Sequence, residues 1–260
     1  MAQAREETGR IDRGDGATLA WARLPGRLPT VVFLSGFRSD MTGAKALALR
    51  DWCAAEGQAM LRFDYSGHGA SEGAFTGGTI GAWAEDARRV IAALTTGPLV
   101  LVGSSMGGWI ALLTALAMPE RVAALAGIAA APDFTEELIW AALPPPERDR
   151  LLRDGVLHLP SLYGDPTPIT RALIEDGRRH LLLGADIALE CPVRLLHGQQ
   201  DPDVPWKTAL RLAERLCSAD VQVVLVKDGD HRLSRPQDIG LLVRTVAELV
   251  GALLRTPPRA

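Results

Sequence analysis

Short, continuous runs of apolar residues alternate along the chain with longer stretches in which apolar residues recur at helical spacing. A continuous apolar run is typical of a strand buried on both faces, as in a parallel sheet covered by helices. The runs lie at residues 30–34, 60–63, 98–102, 122–130, 193–196 and 221–226, and helices are predicted at about 41–56, 79–94, 109–116, 207–216 and 239–254. Before the first run, Gly14-Asp15-Gly16 lies between two short extended stretches and predicts a β-hairpin over residues 11–22. Strands alternating with helices predict parallel pairing through right-handed crossovers, and therefore an α/β fold with a mostly parallel central sheet.

One long region departs from the alternation. Residues 132–190 contain no strongly apolar strand, but they have helical stretches and the break Pro144-Pro145-Pro146. A loop of this length without structure of its own would be unusual, so we expect an inserted helical cap, with residues 1–131 and 191–260 forming the core. Its apolar residues either line a substrate pocket or form a small core of the cap: Leu138, Ile139, Trp140, Leu143, Leu159, Leu162 and Tyr163.

The stretch Gly103-Ser104-Ser105-Met106-Gly107 carries the most informative pattern in the chain. It directly follows the apolar run 98–102 and precedes the amphipathic segment 109–116. Strand, tight turn and helix are the context of a nucleophile elbow, in which a strained turn presents a serine hydroxyl. Glycines are needed because a Cβ on either flank would collide with the neighbouring strand or helix. Ser105 is therefore the predicted nucleophile; the alternative is a glycine-rich turn that only permits close packing.

A serine of this kind needs a base to take its proton. Behind a nucleophile elbow the expected order along the chain is serine, acid, histidine. His231 follows the last predicted strand, at the same end of the sheet as the elbow, and is the predicted base. Other roles are expected for the remaining histidines: a loop hydrogen bond for His68, support of a turn for His197, and surface or packing positions for His158 and His180.

The base needs a carboxylate to orient it, and this acid is expected after the penultimate strand. Asp201 lies just beyond that strand and can turn back towards Nδ1 of His231. Asp203 is the alternative acid, and a place as helix N-cap before Pro205 would give it a structural role instead. Asp230, adjacent to His231, is expected to point elsewhere, into solvent.

Two backbone N–H groups complete the predicted site as an oxyanion hole. One belongs to Met106, the residue after the nucleophile. The other belongs to Phe37, in the turn after the first central strand, where Gly36 permits a close approach. The predicted reaction is acyl transfer: His231 deprotonates Ser105, which attacks an acyl carbonyl, and water activated by His231 hydrolyses the acyl-enzyme.

Composition and charge narrow the partners. The formal net charge is -3 and no Lys/Arg cluster follows one face, so we expect no nucleic-acid partner. Three cysteines without metal-ligand spacing, Cys53, Cys191 and Cys217, suit reduced thiols in a cytoplasm better than a disulfide framework. The glycine-rich stretch 67–78 lacks the Lys-Ser/Thr ending of a phosphate-binding loop, and no metal ligand set is apparent. We therefore predict no metal and no cofactor.

The N-terminal residues and the length of the apolar runs bear on the location of the protein. Residues 1–10 lack an apolar signal segment and contain Glu6 and Glu7, which a transit peptide would avoid. No apolar run approaches the ~20 residues needed to span a bilayer, so no transmembrane segment is predicted. We expect a cytoplasmic location.

Together these motifs make the chain resemble the serine hydrolases of the α/β-hydrolase superfamily over nearly its whole length, which implies an α/β-hydrolase fold. Segments 62–67, 103–109, 191–198, 204–206 and 230–232 resemble one subfamily, the mitochondrial α/β-hydrolase-domain acyl-protein thioesterases, also known as mycophenolic acid acyl-glucuronide esterases. The resemblance implies that the catalytic serine, aspartate and histidine fall on Ser105, Asp201 and His231. It also implies S-palmitoylated proteins and acyl glucuronides as substrates. The mitochondrial presequence of the animal enzymes has no counterpart here, so their location is not carried over.

The predicted function is hydrolysis of carboxylic ester or thioester bonds, with a small acyl ester, a thioester or an S-acylated protein as substrate. Dehalogenases and epoxide hydrolases resemble this scaffold with an aspartate at the elbow, and Ser105 argues against them. The alternatives that keep a serine are a general small-ester carboxylesterase, a peptidase, a C–C hydrolase and a perhydrolase. A non-catalytic binding protein on the same fold is the alternative from a different class.

Overall fold

The computed structural model describes residues 5–160 and 164–255, and within them the central sheet has eight strands. Two further strands form a pair of their own. In chain order, all the strands of the described residues are β1 Glu7–Asp12, β2 Thr18–Leu24, β3 Arg27–Leu34, β4 Gln58–Phe63, β5 Leu99–Ser104, β6 Val122–Ile128, β7 Val156–Leu159, β8 Thr167–Thr170, β9 Val193–Gly198 and β10 Val221–Val226. The central sheet has the order β1-β2-β4-β3-β5-β6-β9-β10, while β7 and β8 form a separate antiparallel pair. In the order of the sheet, the strands from β4 to β10 all run parallel to one another. The strands β1 and β2 pair antiparallel with each other, and β2 also pairs antiparallel with β4.

Helices cover both faces of this sheet. They are α1 Ala44–Glu56, α2 Ile80–Leu94, α3 Met106–Ala117, α4 Pro145–Asp154, α5 Arg171–Gly177, α6 Lys207–Arg215 and α7 Pro236–Arg255, with a π-helix at Thr135–Trp140 and short 3₁₀ turns at Phe75–Gly77 and Arg178–His180. The predicted α/β fold with a mostly parallel sheet is confirmed. Among the described helices, none combines the length and the apolar character that crossing a membrane requires.

The ends of several elements differ from the apolar pattern for local reasons. The run 122–130 forms a strand only as far as Ile128, because Ala129 takes a positive φ of 45° and leaves the extended conformation. By contrast, β9 is longer than its apolar run, since His197 and Gly198 still pair with Leu225 and Val226 of β10. Apolar residues thus mark the buried part of a strand, whereas hydrogen bonding to a neighbour sets its length.

Both faces of the central strands are buried, which explains why their sequences are continuous apolar runs. In β3, Val31 and Phe33 belong to one hydrophobic cluster, with side chains of α1 and α7. Val32 and Leu34 point to the other face and join a second cluster, with side chains of α2 and α3. Successive side chains of a strand point to opposite faces, so a strand covered on both sides needs apolar residues at every position.

Residues 132–190 hold more than the helices expected of them. Besides the π-helix, α4 and α5, they contain the β7–β8 pair, which the sequence pattern did not indicate. Neither strand forms a continuous apolar run, because each has only four residues and because His158 and Pro168 interrupt them. Buried side chains of the segment, such as Leu151 and Ile169, belong to the same hydrophobic cluster as one face of the central sheet. The division into a core and a cap stays a prediction.

Parallel pairing places the carboxyl ends of β3, β5, β9 and β10 at one edge of the sheet. The loops that follow these four strands carry the residues predicted for the site. Four segments far apart in the chain therefore meet at this edge, as is general for open α/β sheets.

A glycine at this edge gives a direct test of the packing. A Cβ built on Gly107 would lie 2.6 Å from the carbonyl oxygen of Ser35 and closer still to that of Leu34. Because backbone cannot yield as a flexible side chain does, we expect Gly107→Ala to lower the free energy of unfolding by about 3 kcal/mol. Chemical denaturation measures this. Gly184→Ala is the control, since nothing lies within 4 Å of its added Cβ. Equal stability of the two variants would contradict this account.

Candidate active site

Ser105 occupies a one-residue turn between β5 and α3. Its φ of 55° and ψ of -120° lie outside the regions that L-residues ordinarily adopt, which costs roughly 1–3 kcal/mol. The backbone around it compensates: Ser105 N–H donates to the Ile128 carbonyl at 2.8 Å, and its own carbonyl accepts from Gly108 at 2.8 Å and Ala131 at 3.1 Å. The turn is thus fixed between two strands and a helix, with the side chain of Ser105 at the edge of the sheet.

The structure brings the three predicted triad side chains together. Nε2 of His231 lies 3.1 Å from Oγ of Ser105, and Nδ1 of His231 lies 2.7 Å from Oδ2 of Asp201. His231 follows β10, Asp201 follows β9, and Ser105 follows β5, so each side chain comes from a different strand end. These distances are those of a nucleophile, a base and an orienting carboxylate. The catalytic role of the three residues stays a prediction.

Asp201 is fully buried, at 0% exposure of its side chain, and yet it is held as an anion. Burial raises the pKa of this carboxyl, but hydrogen bonds from His197 and His231, together with the N–H of Val204, outweigh burial and hold the pKa well below its usual value. Oδ1 accepts from the backbone N–H groups of Asp203 and Val204, each at 2.8 Å. An ionised carboxylate can therefore stabilise positive charge on His231 across the physiological pH range.

The sequence suggested that Asp203 could be the N-cap of the following helix, but it does not hold that position. The helix α6 begins at Lys207 after Trp206, with no side-chain cap. The carboxylate of Asp201 takes the N–H groups of residues 203 and 204, which turns the chain before the helix can start. Asp230 is exposed, and its Oδ1 accepts from the N–H of Leu233 at 2.9 Å, so it points away from the site as expected.

The other histidines have the following contacts. His68 is buried, and its Nε2 accepts from the N–H of Arg38 at 3.2 Å, which is the loop hydrogen bond that was expected. Burial lowers the pKa of His68, so this ring is neutral. His158 is exposed on β7, and His180 lies 3.7 Å from Asp176. His197 was expected to support a turn, but it also lies 3.1 Å from the carboxylate of Asp201. Only its spacing, four residues before Asp201, could have indicated this contact.

The predicted oxyanion hole lies beside Ser105. Met106 is the first residue of α3, and a Cβ built on Gly36 would lie 3.4 Å from the Cβ of Ser105, so the turn after β3 abuts the elbow. Among the described residues, the N–H groups of Phe37 and Met106 have no acceptor. The ring of Phe37 packs on those of Phe75 and Phe134, at centroid distances of 5.0 and 5.6 Å, which fixes the turn. The oxyanion role stays a prediction.

A cavity of about 670 Å³ opens onto Ser105 and His231. Its lining contains both apolar and polar side chains. We call the apolar lining residues the apolar wall, namely Phe134, Leu138, Ile139, Leu159 and Ile169, and the polar lining residues the polar wall, namely Arg38, Asp40, Lys45, Asp203 and Arg232. The basic residues of the polar wall were not singled out from the sequence, where isolated basic residues look like ordinary surface positions.

Only some of the apolar residues of the predicted cap line the cavity. Leu138, Ile139 and Leu159 line the cavity. Trp140 does not, because its ring packs under the guanidinium groups of Arg148 and Arg178, at 5.2 and 4.6 Å. Leu143 is buried in the hydrophobic core, while Leu162 and Tyr163 lie outside the described residues.

Three groups of the site could in principle hold a metal ion. Oxygen and nitrogen atoms of Asp201, Asp203 and His231 lie within 4.8 Å of one another. However, Nδ1 of His231 and Oδ2 of Asp201 are hydrogen-bonded to each other, so a metal ion would have to displace this contact. We assign the group to the hydrogen-bonded chain that ends on Ser105.

These features define the class of protein. The family described as "Alpha/beta hydrolase family" matches the chain over residues 15–239, and the chain belongs to this family. The fold, with its strained serine turn between a parallel strand and a helix, is that of this family.

Several relatives are more specific. Over 245 residues the chain is 41% identical to "Palmitoyl-protein thioesterase ABHD10, mitochondrial" of Homo sapiens, which covers 94% of this chain and 80% of that protein. Among solved structures, alpha/beta hydrolase domain-containing protein 10 from mouse is 40% identical with a TM-score of 0.88, covering 95% of this chain and 99% of that one. A putative hydrolase from Agrobacterium vitis S4 is 43% identical with a TM-score of 0.91, over the same shares of the two chains.

The expected cytoplasmic location is wrong on this comparison. Relatives from five species, each 40–41% identical, are all named mitochondrial. The expectation rested in part on the cysteines, and Cys53, Cys191 and Cys217 are indeed free. Free thiols indicate a reducing environment, however, and not one particular compartment.

Lys45, on the polar wall, has an unusual pKa. Burial and the positive charge of Arg232 lower it to about 8, and its Nζ donates to the Arg232 carbonyl at 2.5 Å. Between pH 8 and the ordinary value of 10.5, the folded protein has lost this proton while the unfolded chain still holds it. Stability therefore rises with pH across this window, and below pH 8 the folded state retains the cost of burying the charge.

The variant Lys45→Met lacks the titrating amine and therefore loses this contribution to the pH dependence of stability. We expect the melting temperature of the wild type, minus that of the variant, to increase by roughly 2–4 °C between about pH 7 and pH 10.5. Calorimetric scans at a series of pH values measure it. Lys227→Met, at an exposed position, is the control and should give a constant difference. A constant difference for Lys45→Met as well would show that Lys45 is as freely solvated as Lys227.

Proposed function

We propose that this protein is a serine hydrolase that cleaves carboxylic ester or thioester bonds through an acyl-enzyme, with Ser105 as nucleophile, His231 as base and Asp201 as the orienting acid. The single observation that carries the proposal is the continuous chain of contacts from Ser105 Oγ through the imidazole of His231 to Asp201, at 3.1 and 2.7 Å. It is supported by the chain's 41% identity to a protein named palmitoyl-protein thioesterase.

In the proposed reaction, Nε2 of His231 takes the hydroxyl proton of Ser105 as Oγ attacks the acyl carbonyl. The negative charge of Asp201 stabilises the imidazolium that forms. The oxyanion receives hydrogen bonds from the N–H groups of Phe37 and Met106. His231 then returns the proton to the leaving alkoxide or thiolate as the bond to the acyl carbon breaks. In the second half, His231 deprotonates a water molecule as its oxygen attacks the acyl carbon. The bond between this carbon and Ser105 Oγ then breaks, Oγ takes the proton back from His231, and the acid is released.

The mixed apolar and polar lining of the cavity favours a substrate with an apolar acyl group and a polar leaving group. Leu138, Ile139 and Leu159 can bury an alkyl chain, which gains about 0.8 kcal/mol for each methylene removed from water. We therefore propose acyl thioesters, including S-acylated proteins, as substrates. The arginines at positions 38 and 232, which also line the cavity, favour a second candidate, the acyl glucuronide, whose leaving group carries a carboxylate.

The first test concerns the nucleophile. A fluorophosphonate probe should label the wild type and not Ser105→Ala, and the kcat/KM of the variant for p-nitrophenyl butyrate should fall by on the order of 10⁴-fold or more. Mass spectrometry of the labelled peptide gives the site of attachment. Ser39→Ala removes an exposed serine that lines the same cavity, and it should be labelled like the wild type. Absence of labelling in the folded wild type would favour the non-catalytic binding protein.

The second test concerns the acyl group. Leu138→Trp narrows the apolar wall, so we expect kcat/KM for a long-chain acyl thioester to fall roughly tenfold while that for an acetyl ester changes little. A series of acyl thioesters and p-nitrophenyl esters from two to sixteen carbons measures both. Leu152→Trp enlarges an exposed side chain of α4 outside the cavity and serves as the control. A wild type confined to acetate and butyrate would instead support a general small-ester carboxylesterase.

A further inference from the structure

The carboxylate of Asp201 contacts two imidazoles, of which the proposed reaction uses only one. His197 lies near the end of β9 and its side chain has 0% exposure. Its Nε2 lies 3.1 Å from Oδ2 of Asp201, the same oxygen that faces Nδ1 of His231 at 2.7 Å. The second contact of Nε2 is the carbonyl oxygen of Val204, at 3.0 Å.

These partners determine which nitrogen of His197 carries the proton. A carboxylate and a carbonyl can only accept hydrogen bonds, so Nε2 is the donor, shared between Asp201 and Val204. Nδ1 is buried and has no hydrogen-bond partner among the described residues. A second proton there would place an unpaired N–H donor and a full charge in the interior, which is strongly unfavourable. His197 therefore carries a proton on Nε2.

The hydrogen bonds to Asp201 are then complete. Oδ1 accepts from the backbone N–H groups of Asp203 and Val204, and Oδ2 accepts from His197 and His231. A carboxylate has about four lone-pair sites, and each of them here has one donor. Because Oδ2 is shared, the two imidazoles compete for the charge of the same oxygen.

We infer that His197 is a positioning residue for the proposed catalytic acid: its Nε2–H fixes Oδ2 of Asp201 and limits the negative charge that this oxygen presents to His231. The inference rests on the proposed function of Ser105, His231 and Asp201. A hydrogen bond donated to the carboxylate draws charge away from His231, so less of the protonated base accumulates at a given pH. His197 thereby keeps the base in its active, neutral form at lower pH.

Loss of the donor has a defined consequence. In His197→Leu, the full charge of Oδ2 acts on His231, which favours the protonated and inactive base. The charged groups around the pair remain the same in both proteins, namely Asp203 near the carboxylate, Asp230 and Arg232 in the loop after β10, and Lys45 of α1. A shift in the pH profile therefore reports on the contact from His197 itself.

The experiment compares kcat/KM for p-nitrophenyl butyrate between pH 5 and 9 in the wild type, His197→Leu and His197→Gln. We expect the pH of half-maximal activity on the acidic side to move up by roughly 0.5–1 unit in His197→Leu. The amide of glutamine can donate from a place near that of Nε2, so His197→Gln should remain near the wild type. Leu195→Ala, a cavity-forming change on the same strand, controls for lost stability and should leave the acidic limb in place.

A folded His197→Leu protein whose acidic limb matches the wild type would overturn the inference. If that variant does not fold, ¹⁵N NMR of the wild-type histidine rings decides, because His197 must carry its proton on Nε2 throughout this pH range. A proton on Nδ1 instead would overturn the inference equally. Failure of the proposed function is a separate result: the wild type would then show no fluorophosphonate labelling and no hydrolysis, whatever the state of His197.

Discussion

The backbone strain at Ser105 is the constraint around which the site is built. A residue with this φ and ψ persists only where its surroundings allow no alternative, and here β3, β6 and α3 together supply that restriction. The N–H of Ser105 is bound to β6, and its carbonyl accepts from the first turn of α3 and from Ala131. Gly107 allows α3 to approach the end of β3 so closely that no side chain fits. The turn that carries Phe37 is thereby brought against the same serine.

Burial of one negative charge is the second constraint on the site. The Asp201 carboxylate is withdrawn from water, and only its four hydrogen bonds make an ionised form stable there. Two of the donors are backbone groups of its own loop and two are imidazoles from the ends of neighbouring parallel strands. The loop after β9 is thus closed on its own carboxylate, and the loop after β10 is tied to it through His231. A charge that would be unfavourable alone becomes the group that holds the two loops together.

The sequence predicted the parts of this structure that follow from chain order and from burial on both faces. Continuous apolar runs identified β3, β5 and β6, and the pattern around Ser105 located the turn to the residue. Asp201 and His231 could be selected because parallel strands bring their carboxyl ends to one edge. The spacing of four residues was the only signal for the contact of His197 with Asp201, and spacing alone does not show which way a strand-end side chain turns. The pair β7–β8 was missed because its four-residue strands contain polar residues and proline, so their pairing depends on tertiary context rather than on a local pattern.

Arg38 connects the reaction centre to the substrate wall. It follows Phe37 directly, has a positive φ of 57°, and its backbone N–H donates to His68. At the same time its guanidinium donates to the Asp165 carbonyl and to Oγ1 of Thr167, both at 2.8 Å, at the start of β8. One residue therefore fixes the turn beside Ser105 and also bears on the segment that forms the apolar wall. The backbone of Arg38 thus belongs to the turn beside Ser105, while its side chain is bound to the start of β8, more than a hundred residues further along the chain.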